Sequence, residues 1–171
     1  MSSESNTDTP KTTMNSAAAV LPFSRRSDSE EILPPQSIET EESILGGLLF
    51  QPDSFDRILD ILTPEMFYIT AHQELYRVLY EMYVDDEVID LLTVATKLID
   101  LGKLDRIGGK AKLAMLHERC MSTVNIDHHA NLVSRLYWFR QMIKTGQEIT
   151  HIGYGQGDLN EALDLVDSKI Y

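Results

Sequence analysis

From residue 34 onward, apolar positions recur at spacings of three, four and seven, and no stretch alternates convincingly with period two. This is the pattern of amphipathic helices. Before residue 34 there is no period. The first 33 residues are rich in Ser, Thr, Asn and Asp, cannot bury enough apolar surface to offset the entropy of ordering, and are expected to be a disordered arm. Pro34-Pro35 marks the boundary, since neither residue can extend a preceding helix. Ser37 is then placed to cap a helix over residues 37–50, with Glu39, Glu41 and Glu42 near the positive end of its dipole and Ile38, Leu45, Leu48 and Leu49 on one face. Gly46-Gly47 interrupts this face. Each glycine costs roughly 1 kcal/mol relative to alanine inside a helix, and the pair is expected to mark a close helix crossing.

Further elements follow at short intervals. After the turn Gln51-Pro52-Asp53, Asp53 is expected to cap a short helix with a Phe55, Ile58, Leu59 and Leu62 stripe. Thr63-Pro64-Glu65 reads as a second start, with proline at the first helical position. Thr70 and Gln73 have the spacing of a capping box and open a helix to about residue 84, with Leu75, Val78, Leu79 and Met82 inward and Tyr76, Tyr80 and Tyr83 on adjoining faces. Asp85-Asp86-Glu87 forms an exposed turn. Asp90 caps a helix with Leu91, Val94, Ala95 and Leu98 inward, and Gly102 lies just past its end, where a left-handed residue is favoured. Gly108-Gly109 precede a helix to about residue 121, with Leu113, Leu116, His117 and Cys120 on one face.

The last part reads differently. From Asn125, expected as a cap, a pattern without proline runs to about residue 152, some 40 Å of helix at 1.5 Å per residue. Leu132, Leu136, Phe139 and Ile143 step by four, three and four, like the seam of a coiled coil, with Tyr137, Trp138 and Met142 beside it. The glycine-rich turn over residues 153–157 leads to a final helix with Leu159, Ala162, Leu163, Val166 and Ile170 expected inward. A lone hairpin of this kind leaves its second apolar face wet, so it is expected to pack on another chain or domain. The expected fold is all-α: a compact multi-helix globule over residues 34–125, then a long antiparallel helical hairpin over 126–171. The candidate interface residues are Leu132, Leu136, Tyr137, Phe139, Ile143, Leu159, Leu163 and Val166.

Composition narrows the function. The net charge of −12 divides as −2 over residues 1–36, −8 over 37–125 and −2 over 126–171. Neutralising phosphates needs clustered Lys and Arg, so contact with DNA is expected only indirectly. The lone cysteine, Cys120, precludes an intrachain disulfide and fits a reducing compartment. No apolar run approaches the roughly 20 residues of a membrane span, and no membrane contact is expected. A cytoplasmic location, or an organelle of bacterial descent, follows.

Candidate chemistry is sparse. G-x-x-x-x-G-K-[ST] occurs nowhere: five residues before Gly109 stands Leu104, and Ala111 follows Lys110. No catalytic residue and no cofactor are therefore expected in this chain. His117, Cys120, His128 and His129 do not have a known zinc spacing, and the carboxylates from Glu81 to Asp90 lack the order of a calcium loop. Lys97, Lys103, Arg106, Lys110, Lys112 and Arg119 contrast with that acidic stretch, and the two could serve as opposite faces for a partner or be ordinary solvated surface.

Several segments together carry a family resemblance. Pro34-Pro35-Gln36-Ser37-Ile38-Glu39-x-Glu41-x-Ser43-Ile44-Leu45-Gly46-Gly47-Leu48-Leu49 resembles the start of the N-terminal domain of bacterial replicative DNA helicases of the DnaB type. Leu62-Thr63-Pro64-Glu65-Met66-Phe67-Tyr68 with Ala71-His72, Asp90-Leu91-Leu92-Thr93-Val94, Leu101-Gly102-Lys103-Leu104 through Gly108-Gly109, and Asn125-Ile126 with His129-Ala130 resemble its later segments in order. The resemblance implies a helical globule and a hairpin that pairs between subunits, giving dimers and a hexameric collar that contacts primase and, in some organisms, a helicase loader. It also implies a RecA-like motor that uses ATP and Mg²⁺ to unwind DNA 5′ to 3′. The motor's sequence is not in this chain, so a fragment of a full helicase and a stand-alone interaction or regulatory protein using the same fold are both open here. A reading frame running on into a phosphate-binding loop separates them.

Overall fold

A computed structural model describes residues 33–120, 122–155 and 158–170. The expected arm over residues 1–33 lies outside them except for Leu33. Among the described residues there are seven α-helices and no strand: α1 Ile38–Phe50, α2 Thr70–Val84, α3 Leu91–Asp100, α4 Leu104–Ile107, α5 Gly109–Arg119, α6 Ile126–Tyr154 and α7 Leu159–Ile170. The fold is all-α.

Helix α1 is the axis of the globule. Ile44, Leu45, Leu48 and Leu49 are buried, and α2, α5 and α6 all pack on it. Gly46 and Gly47 explain how this is possible. A methyl group on Gly46 would run into the backbone carbonyl of Leu116 on α5, and one on Gly47 would lie 3.2 Å from the side chain of Ile126 at the start of α6. Helix α5 thus crosses α1 at backbone distance while the Ile126 side chain packs directly on Gly47, and the helix propensity lost at two glycines is offset by these contacts.

Several local expectations are corrected. Ile38 is 43% exposed, because the core begins one turn later; Glu41 takes the inward place instead. Ser37 occupies the cap position but its hydroxyl pairs with the Thr40 hydroxyl at 2.7 Å, not with a backbone N–H. The segment after α1 is a 3₁₀ turn over Pro52–Arg57 with Gln51, not Asp53, at its head; proline at the first position suits the tighter turn. Pro64–Met66 is likewise a single 3₁₀ turn. Thr70 and Gln73 form no capping box: Ile69 holds the cap position and the Gln73 amide donates to the Phe67 carbonyl at 2.7 Å. Asn125 makes no side-chain cap either. The capping box forms at Asp90, whose carboxylate accepts from the N–H groups of Leu92 and Thr93 while the Thr93 hydroxyl accepts from the Asp90 N–H.

Tyr76 is fully buried, with its ring 4.9 Å from Phe67 and 5.8 Å from Phe55, and burial pushes its hydroxyl far above the ordinary range. Beyond the acidic turn, Gly102 has φ +64° just past α3, as its place requires. Helices α3, α4 and α5 close the globule on the side of α2 and α1.

Four of the six cations of the expected basic face pair within the chain, and one of them, Lys97, with the acidic stretch. Lys97 bonds Glu87 at 2.8 Å, Arg106 lies 3.7 Å from Glu74, and Lys112 and Arg119 both hold Glu42, at 2.5 and 2.8 Å. The last cluster clasps α1 to α5, and the Lys112 bond holds the Glu42 carboxyl below its ordinary value against the opposing effect of burial.

Candidate interaction surface on the helical hairpin

Helix α6 has 29 residues, about 43 Å of axis, and plays two parts along its length. Its first two turns belong to the core: Ile126, Ala130 and Val133 are buried against α1. Arg57 fixes this end from outside, donating to the Thr123 and Val124 carbonyls at 2.9 Å and pairing with Asp127.

Two turns on, Arg140 closes the contact. Its guanidinium donates to the Pro35 carbonyl at 2.8 Å and the Met66 carbonyl at 2.7 Å, and lies over the rings of Tyr68 and Tyr137 at 5.5 and 5.8 Å. Burial lowers its pKa, opposed by the Glu41 carboxylate and the two tyrosines. Beneath it, Glu41 is 2% exposed and accepts from the backbone N–H groups of Tyr68 and Ile69, while His72 Nδ1 lies 2.8 Å from its second oxygen. Neither Arg140 nor Glu41 stands out as a site residue in the sequence. The available signal is spacing: Glu41 sits three, four and seven residues before Ile44, Leu45 and Leu48, a carboxylate on the core stripe, and a buried carboxylate needs donors.

Beyond Arg140, α6 leaves the globule and meets only α7. Asp158 caps α7 through the N–H groups of Asn160 and Glu161, and Lys169 reaches back to Glu148 at 2.8 Å, which makes the two helices an antiparallel hairpin. Ala162 and Val166 are half-buried on α6. Leu159 and Leu163, expected inward, are exposed instead, because two helices without a third layer cannot enclose both faces. The side chain of Ile170 lies outside the described residues.

The candidate interface residues divide accordingly. Leu132, Leu136 and Tyr137 are half-buried, Tyr137 being turned toward Arg140. Phe139 and Ile143 are about half exposed, and with Trp138 at 55% and Met142 at 65% they form an apolar arc on the side of α6 away from the globule. Leu163 and Leu165 of α7 add half-exposed surface to the hairpin. Large apolar groups gathered in this way mark an interaction surface more often than solvated exterior. Among the described residues no three ligating side chains converge on a metal position, and no helix is long and apolar enough to cross a membrane.

Comparison with known proteins agrees with this architecture. Residues 33–135 match the family model of the DnaB-like helicase N terminal domain. The chain is 43% identical over 150 residues to the replicative DNA helicase DnaB of a Nostoc species, covering 87% of this chain and 17% of that protein. It is 33% identical over 141 residues to the Geobacillus stearothermophilus DnaB, covering 82% and 31%. It thus spans only a fraction of the length of these curated relatives. Among solved structures, the N-terminal domain of DnaB helicase from Mycobacterium tuberculosis superposes with a TM-score of 0.77 at 32% identity, over 81% of this chain and 99% of that one. A DnaB-like replicative helicase whose structure was described together with its interactions with primase shares the fold, with a TM-score of 0.65 at 22% identity over 78% of this chain and 31% of that one. The chain belongs to the DnaB-like helicase N-terminal domain family.

Proposed function

We propose that this chain is the collar part of a replicative helicase, a scaffold on which helicase subunits assemble and primase or a loader docks, with no catalysis of its own. The observation that carries the reading is the apolar arc of Trp138, Phe139, Met142 and Ile143, which faces away from the globule where α6 leaves it. A second copy presenting the same arc satisfies it with a self-complementary contact, and three such dimers complete a hexamer. Leu132, Leu136, Tyr137, Leu159, Leu163 and Val166 flank or support that contact. Primase as a partner is supported by the structural relative described with it. The parent enzyme's unwinding of duplex DNA, with ATP and Mg²⁺, resides in a motor domain whose phosphate-binding loop is not in this sequence. DNA is engaged only indirectly by the acidic globule. The cytoplasm, or an organelle of bacterial descent, is the compartment of that activity.

Sedimentation equilibrium of the chain against Leu136→Asp and Phe139→Asp tests the reading. The parent chain is expected to self-associate as concentration rises, and each variant to remain monomeric with its globule folded. Self-association that survives both changes overturns the assignment of the face.

A further inference from the structure

A second surface lies apart from the hairpin. The acidic turn after α2 and the outer side of α3 enclose a groove of about 400 Å³ lined by Met82, Glu87, Val88, Leu92, Thr96 and Asp100, among others. Helix α3 packs on α2, α4 and α5 and has no comparable contact with α6, so this groove belongs to a different part of the globule from the docked face of α6. Val88 is 70% exposed and Leu92 is 72% exposed. Each alone is ordinary on a protein surface, but here both line one concavity together with the buried Met82.

The charge around the groove has one sign in excess. Lys97 is the cation in its wall, and it is already engaged by Glu87 at 2.8 Å. That bond, with Asp85 and Glu81 nearby, holds the Lys97 ammonium above its ordinary pKa. Asp100 lines the same groove. The two carboxylates of the wall, Glu87 and Asp100, with Asp85 and Glu81 close to Lys97, thus outnumber the one cation of the wall. Such a field attracts cationic partners and repels anionic ones, nucleic acid included.

We propose that this groove is a docking site for a cationic amphipathic segment of a partner protein. One or two apolar side chains of the segment sit between Val88 and Leu92, and its Lys or Arg groups meet Glu81, Asp85 and Asp100. The proposal does not depend on the hairpin face, which has a different chemistry.

The test uses the full chain and a dye-labelled helical peptide of leucine and lysine, with leucines on one face. A scrambled peptide of the same composition and a leucine and glutamate counterpart serve as comparisons. Binding of the leucine and lysine helix is expected, weakened by salt, with amide shifts at Val88, Leu92 and Thr96. Leu92→Asp and Val88→Asp, both at exposed positions and checked for an unchanged melting curve, are each expected to weaken it about tenfold. Phe139→Asp is expected to leave it unchanged. Equal binding of the scrambled or glutamate peptide overturns the proposal. So do shifts centred on Phe139 and Met142, or affinity unaltered in both groove variants.

Discussion

The globule and the distal hairpin are built from the same kind of helix but satisfy their polar and apolar groups in different ways. In the globule, each helix has neighbours on more than one side, and even a carboxylate, Glu41, is enclosed with its donors supplied. In the hairpin beyond Arg140, two helices have only each other, the ion pair Glu148–Lys169 is partly solvated, and large apolar side chains face outward. The difference teaches what each part is for. A region that encloses its own apolar core folds by itself; an ordered but uncovered apolar face is what the proposed assembly would cover.

The largest expected contrast comes from two carboxylates. Glu41→Ala leaves two backbone N–H groups and His72 without their acceptor and is expected to destabilise the globule by about 3 kcal/mol in chemical denaturation. Glu148→Ala is expected to leave that transition in place. Two glycines should differ next, and in sign. Gly46→Ala drives a methyl into the Leu116 carbonyl and is expected to cost about 2 kcal/mol, whereas Gly146→Ala, with open space around it, should raise α6 stability by about 0.5–1 kcal/mol. If the two changes behave alike, the distinction between a close helix crossing and a free helix surface is wrong.

Arg140→Ala sharpens the boundary between the regions. It removes charged hydrogen bonds to the Pro35 and Met66 carbonyls and is expected to cost about 1–2 kcal/mol, read as faster amide exchange along residues 134–142 with α2 unaffected. The smallest effect is acid dependence. Lys112 and Arg119 hold the Glu42 carboxyl below its unfolded value of 4.5, with the Lys112 bond the largest cause. The Lys169 bond does the same for Glu148. A carboxyl depressed on folding stabilises fully above its unfolded pKa, and that contribution is lost as pH falls below about 4.5 toward the folded value. Glu42→Gln should therefore flatten part of the melting-temperature decline in acid for the globule, and Glu148→Gln should not.

Much of this was legible in the sequence, for definite reasons. Spacing alone places Leu75, Val78, Leu79 and Met82 inward on α2, and glycine chemistry alone identifies a crossing at Gly46-Gly47. What was not legible depends on partners distant in the chain. Glu41 looks like one of three acids favouring a helix start, and only the fold of residues 67–72 over it shows why it is buried. Arg140 reads as a surface cation in an aromatic run until Pro35 and Met66 are brought beneath it. Capping is poorly legible, because Ser37 and Gln73 bond to the Thr40 hydroxyl and the Phe67 carbonyl while Asp90 keeps its cap. The hairpin face is visible as a heptad-like seam, yet spacing that groups Leu159 and Leu163 on one face does not say what covers it.

Native-state amide exchange of the whole chain, measured at low and at high protein concentration, tests the division between the two regions most directly. Amides of α1 and α2 should exchange at the same slow rate at both concentrations, while those of residues 143–154 and of α7 should become markedly more protected as concentration rises. Protection in the hairpin that equals that of the globule and does not change with concentration would contradict the account.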